Sequence, residues 1–196
     1  MTPPRLRTKP YARLRSSIGT FQFHHADALE FLRGLPIASV DLIVTSPPYN
    51  LGVSYRSYRD ALPEKDYLEW TDQWIAAATR TLTPRGSLFL NVGATPTRPW
   101  TALDVAQTAR RHLKLQNIIH WVKSIAIDRA AAGARAALDR DLAIGHYKPI
   151  NSDRFINDCH EFVFHLTPEG RTPLDRQAIG VPYQDRSNIA RWQAGS

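Results

Sequence analysis

The chain has 196 residues, 43% of them hydrophobic, and 25 Lys+Arg against 18 Asp+Glu give a formal net charge of +7. That is the composition of one globular domain with a sizeable core, and it excludes a disordered chain. The single cysteine, Cys159, excludes an internal disulfide framework and a cysteine-rich zinc site. No apolar run approaches the ~18 residues of a membrane span, and the N-terminus lacks the apolar core of a secretory signal. The expectation is a soluble, cytoplasmic protein with no membrane partner.

Arginine outnumbers lysine 20 to 5. The planar guanidinium suits phosphates and base edges, whereas the lysine ammonium acts as a point charge. On charge alone, a nucleic-acid partner and a merely solvated arginine-rich surface stand about equal.

In chain order, residues 1–19 carry Arg5, Arg7, Lys9, Arg13 and Arg15, three prolines and no acid, and read as a mobile basic arm. Residues 20–24 read as a short strand and residues 26–35 as a short helix with Asp27 at its start. Residues 40–44, Val-Asp-Leu-Ile-Val, form an apolar run bounded by turn signals and predict a buried strand. A loop rich in Pro, Tyr, Ser and Gly follows to residue 62. Residues 63–82 give the strongest helix, with Pro63 at its start, Glu64 and Asp66 in the first turn, and Trp70 and Trp74 on an apolar face as core residues.

Pro84-Arg85-Gly86 then punctuates the chain, residues 87–92 predict a second buried strand, 102–113 a helix, and 115–122 a third strand. Residues 123–156 break the rhythm, with an Ala-rich, weakly helical stretch at 130–137 inside polar loop. Residues 160–166 return as a strand, and 167–196 hold no clear element. Strand–helix alternation predicts an α/β sandwich built on a mostly parallel sheet.

The informative segment is the end of the first apolar strand, Thr45-Ser46-Pro47-Pro48-Tyr49-Asn50. Ligands of open α/β sheets bind beyond the carboxyl ends of the strands. Two consecutive prolines fix φ twice and hold the preceding residue extended. The result is a stiff turn that presents the Ser46 hydroxyl, a main-chain carbonyl and the Tyr49 ring. Such a turn suits one task. The exocyclic amine of a nucleobase is a poor nucleophile because its lone pair is delocalised into the ring. Two acceptors that hold its hydrogens draw the nitrogen toward tetrahedral geometry and free the lone pair, while an aromatic ring stacks on the base. No metal and no covalent intermediate are needed. The histidines lack ligand partners at metal spacing, so no metal site is expected, and Cys159 reads as a structural thiol.

Val44-Thr-Ser-Pro-Pro-Tyr-Asn50 resembles the catalytic motif of the amino-directed DNA methyltransferases, which methylate cytosine N4 or adenine N6 with S-adenosylmethionine. The Ser-Pro-Pro-Tyr form resembles the cytosine-N4 branch most. The resemblance implies a Rossmann-like methyltransferase sandwich of the permuted class, catalytic half first. It implies catalytic roles for Ser46, Pro47, Pro48 and Tyr49.

The stretch His24-His-Ala-Asp-Ala28 resembles the segment whose acid contacts the cofactor, so Asp27, Ala28 and Thr45 inherit cofactor binding by resemblance. Asn117–Ser124 resembles a strand of the target-base pocket, which brings in Trp121 and Lys123. Asn50, Tyr55, Arg56 and Arg59 complete an expected base-pocket or DNA-contact group, because interleaved aromatics and cations suit stacking and phosphate contacts. Residues 145–153 and 181–188 resemble sequences of the DNA-contacting region.

The second half of this family brings a Phe-x-Gly-x-Gly-type loop for the methionine part of the cofactor. Here no two of the ten glycines are separated by a single residue. The chain therefore reads as an N-terminal portion and an incomplete sandwich. Residues 20–166 form the catalytic half-domain, and 167–196 lead to an absent target-recognition and cofactor half. The expected function is site-specific methylation of double-stranded DNA, of the kind met in restriction–modification, with the presence of a cognate nuclease left open. The alternative is a non-catalytic half that binds DNA, or that works with a second copy or with a complementary chain carrying the glycine-rich motif.

Overall fold

The computed structural model describes residues 9–55, 58–127, 139–140, 142–145, 153–154, 160–175 and 178. Its chain order is β1 (Ala12–Ser16), β2 (Gly19–Phe23), α1 (Ala28–Gly34), β3 (Val40–Thr45), α2 (Glu64–Thr81), β4 (Leu82–Val92), α3 (Thr101–Ala109), β5 (Lys114–Val122), β6 (Ser124–Ile127), β7 (Leu142–Gly145) and β8 (His160–Thr167).

The helices form where local chemistry asks for them. Asp27 caps α1, its carboxylate accepting the Glu30 N–H at 3.0 Å. Arg80 closes the other end of α1, donating to the Leu32, Arg33 and Leu35 carbonyls at 2.9, 3.1 and 2.7 Å. Glu64 and Asp66 lie in the first turn of α2, where carboxylates favour the helix dipole. Tyr67, Thr71, Trp74, Ile75 and Ala78 form the buried face of α2 at helical spacing. That face meets Leu88, Leu90 and Val92 of β4, Ala102, Val105 and Ala109 of α3, and Phe164 and Leu166 of β8. Full burial of each large member of this cluster contributes about 1.5–3 kcal/mol over leaving it exposed. Trp74 belongs to the core, and Trp70 packs half-buried against it.

The central sheet has the order β3-β4-β8-β5. β3 and β4 are parallel, and β8 runs antiparallel to both β4 and β5. Three strands therefore point one way, and β8 is threaded against them. The carboxyl ends of β3, β4 and β5 and the start of β8 all lie along one border of the sheet.

Four expectations change. Residues 12–16, read as part of a mobile arm, form β1, which pairs with β2 from Ala12↔Phe23 to Ser16↔Gly19; residues 1–8 lie outside the described residues. The run at 40–44 is a strand but not a buried one: Leu42 is 57% and Val44 71% exposed. β3 is an edge of this sheet, and helices α2 and α3 cover only its other face. Residues 84–86 do not separate helix from strand. Val40 pairs with Leu82 and Leu42 with Ser87, so they form a bulge inside β4. Residues 123–156 include β6 and β7, paired antiparallel, where loop was expected; the Ala-rich stretch at 130–137, Cys159 and residues 181–188 lie outside the described residues.

Candidate active site

β3 delivers Thr45 to the border of the sheet, and Ser46-Pro47-Pro48-Tyr49 turns there across the ends of the neighbouring strands. Tyr67 on α2 braces the turn from below, donating its hydroxyl to the Pro48 carbonyl at 3.0 Å. Burial raises the Tyr67 pKa well above its ordinary value, so it remains a donor.

The Tyr49 hydroxyl is the centre of the site. It lies 2.6 Å from Ser46 Oγ, accepts from Asn91 Nδ2 at 2.5 Å and donates to Glu161 Oε2 at 3.4 Å. Asn91 Nδ2 also reaches Glu161 Oε2 at 2.7 Å and Ser46 Oγ at 3.4 Å. Lys123 forms an ion pair with the second Glu161 oxygen, and its ammonium sits 5.3 Å from the centroid of the Trp121 ring.

Burial pushes the Tyr49 phenol pKa up, opposed by the Ser46 hydrogen bond and reinforced by the Glu161 charge. Burial also pushes Glu161 up, but the hydrogen bonds from Lys123 and Asn91 and the Lys123 charge outweigh it, so Glu161 stays ionised below the usual carboxylate range. These groups line a cavity of about 300 Å³, together with Pro47, Leu51, Tyr55 and Trp121. That is the low end for a small-molecule or base pocket.

The expected site residues thus separate. Ser46, Pro47, Tyr49, Tyr55, Trp121 and Lys123 meet at one cavity. Pro48 lies behind it, held by Tyr67. Arg59 is exposed on the same loop, and Arg56 lies outside the described residues. Asp27 and Ala28 are exposed at the start of α1, and Thr45 ends β3 beside Ser46.

Asn50 is a correction. It is 2% exposed, and its side chain holds the Leu62 N–H at 2.7 Å and the Leu62 carbonyl at 2.9 Å. An amide spent on backbone is not free to touch a base.

Asn91, Glu161 and Asp60 went unnoticed in the sequence. Asn91 directly follows the apolar run Leu88-Phe89-Leu90 and Glu161 directly precedes Phe162-Val163-Phe164, the one signal that could have marked them. Among the described residues no cluster of three or more His, Cys, Asp or Glu could hold a metal ion.

The family described as DNA methylase, the N6/N4 methyltransferases, matches residues 40–194. The type II methyltransferase M.MjaVI of Methanocaldococcus jannaschii is 50% identical over 58 residues, 30% of this chain and 30% of that protein. The DNA adenine methyltransferase YhdJ of Escherichia coli is 32% identical over 97 residues, 50% of this chain and 31% of that protein. The matched stretches thus span under a third of these relatives' own lengths. The PvuII DNA methyltransferase, described as cytosine-N4-specific, shares the fold with a TM-score of 0.62 and 15% identity, over 96% of this chain and 67% of that one. A Rossmann-like α/β sandwich with a Ser-Pro-Pro-Tyr turn at the end of its first central strand, matched along most of its length, belongs to the N6/N4 DNA methylase family.

Proposed function

We propose that the chain carries the catalytic part of a site-specific DNA methyltransferase. It acts on the exocyclic amine of a base flipped out of double-stranded DNA, with cytosine N4 favoured over adenine N6. The observation that carries this reading is the convergence of Ser46, Tyr49, Asn91 and Glu161 on one point at the end of β3.

The amine is engaged in pairing within the duplex, so the base must leave the stack to react. Ser46 Oγ and the Pro47 carbonyl accept from the amine and free its lone pair. The Tyr49 ring stacks on the base. Its hydroxyl, anchored by Ser46, Asn91 and Glu161, keeps that ring in one orientation. Fixed dipoles and positioning supply the rate enhancement. Serine at position 46 favours cytosine by resemblance.

S-adenosylmethionine is the cofactor in this reading, and it supplies a sulfonium methyl group to the amine. The exposed Asp27 carboxylate at the start of α1 fits hydroxyl groups of the adenosine end, with Ala28 beside it and Thr45 next to the reacting centre. The methionine end calls for a glycine-rich loop, which this sequence does not contain. Among the described residues no helix is long and apolar enough to cross a membrane, and we place the protein with its DNA in the cytoplasm.

A second reading rests on the bare face of β3, where Leu42 and Val44 are exposed. In it, the chain functions only with a second copy or with a complementary chain that carries the glycine-rich loop. Calorimetry with S-adenosylmethionine separates the two. Binding by the chain alone supports a self-sufficient catalytic unit; binding only after a partner is added supports the second. Tyr49→Ala tests the site itself: methyl transfer to DNA is lost while the melting temperature holds. Undiminished transfer by that variant refutes the stacking role.

A further inference from the structure

We propose that Asp60 is a positioning residue for the catalytic turn, and that with Asn50 it forms a buried clasp that fixes where Tyr49 stands. The inference rests on the methyltransferase reading for its consequence, but not for its geometry.

Asp60 is 3% exposed. One of its oxygens accepts the Asn50 N–H at 2.8 Å, and the other accepts the Leu51 and Val53 N–H groups at 3.0 Å each. The Gly52 N–H completes the set, donating to the Asp60 main-chain carbonyl at 2.6 Å. Two of these residues have left-handed backbone, Asn50 at φ 59° and Gly52 at φ 80°. Successive N–H groups in such a conformation point inward and form an anion-binding concavity. Here the anion is the chain's own carboxylate.

Asn50 is consumed as completely. Its N–H goes to Asp60, its carbonyl accepts from Arg98 at 2.5 Å, and its side chain pairs with both backbone groups of Leu62. Little apolar packing could do this work, because Val53 and Tyr55 on the same loop are about half exposed. A buried carboxylate is costly unless it is fully hydrogen-bonded, and this one is spent on three of the four residues that follow Tyr49, Asn50, Leu51 and Val53. Tyr49 is then held at both ends: its backbone by the clasp, its hydroxyl by Ser46, Asn91 and Glu161.

The test compares the full chain with Asp60→Ala and Asp60→Asn, using NMR of the backbone amides and of ¹³C-labelled tyrosine rings, with Tyr49→Phe to assign the Tyr49 signal. In Asp60→Ala, hydrogen exchange at Asn50, Leu51 and Val53 accelerates. The Tyr49 phenol titrates closer to its ordinary value as its burial loosens. Asp60→Asn preserves shape and one acceptor and gives a smaller change in the same direction; it carries the test if Asp60→Ala does not fold. Where methyl transfer is measured, kcat falls by about tenfold or more, as expected for a displaced positioning element, and KM for the cofactor stays within about twofold. Unchanged exchange and unchanged Tyr49 titration overturn the proposal. If wild type transfers no methyl group while the spectroscopic changes occur, the reading of the chain as a self-sufficient methyltransferase fails and the clasp stands.

Discussion

Gly93 follows β4 directly and is buried beneath the Tyr49 ring. A Cβ at this position would lie 3.1 Å from Tyr49 Cε2, 3.3 Å from Tyr49 Cδ2 and 3.3 Å from Glu161 Cγ. The φ of Gly93 is not in the left-handed region, so alanine meets no backbone strain there. Gly93→Ala therefore sets two opposed terms against each other. Restricting the unfolded chain stabilises by about 0.4–1 kcal/mol. Crowding a packed site costs about 1–3 kcal/mol. The cost falls at the low end because Tyr49 sits on a partly exposed loop and can yield by a few tenths of an ångström.

The net change in stability is within about 1 kcal/mol, which moves the melting temperature of a chain of this size by no more than ~4 °C. Function has no such relief. In the proposed function the ring is the stacking surface, and its hydroxyl sits at 2.6 Å from Ser46 Oγ. Displacing a positioned group near a reacting centre lowers transfer by about 10- to 100-fold. Calorimetric melting and methyl transfer from labelled S-adenosylmethionine to DNA, run side by side, read both terms. Transfer within twofold of wild type, at an unchanged melting temperature, refutes the assignment of Gly93 as the seat of the Tyr49 ring.

Two predictions concern pH. Glu161 is held below its ordinary value of 4.5 in the folded state. Its contribution is complete above the unfolded-state value and is lost as pH falls through the folded one. Glu161→Gln therefore melts lower than wild type at neutral pH, and the two curves converge in acid; parallel curves from pH 7 to 3 would sink this account. His165 behaves with the opposite charge. It is fully buried, stacked on Phe89 at 4.3 Å, with Asn117 Nδ2 at 2.9 Å from Nδ1 and Ser87 Oγ at 3.0 Å from Nε2. The amide nitrogen can only donate, so Nδ1 accepts and the ring is neutral. Burial lowers its pKa below 6.5. The unfolded state then takes up the proton first, and stability declines as pH falls below the ordinary histidine range. His165→Asn removes that dependence, and thermal melts at pH 7 and 5 measure it; an equal decline in both proteins contradicts it.

The sequence carried the parts that local chemistry dictates. A strand of β-branched residues ending at two prolines identifies a stiff turn at a sheet border. Glu64 and Asp66, followed by apolar residues at helical spacing, identify α2 to within a residue or two. Ser46 and Tyr49 could be singled out because the turn itself is their context. The Pro84-Arg85-Gly86 bulge and the bare face of β3 could not be read this way. Whether a strand is covered on one face or both depends on what packs against it, and an apolar run looks the same in either case.

What only the tertiary structure decided is the rest of the site. Glu161 stands 112 positions from Tyr49 and 70 from Asn91 along the chain. It arrives because β8 inserts antiparallel between β4 and β5 and places its first residues beside the end of β4. Asp60 meets Asn50 because a loop folds back on itself around one carboxylate. Side-chain periodicity reports which face of an element is apolar. It does not report which strand will lie next to it, and pairing across the chain is where this site was assembled.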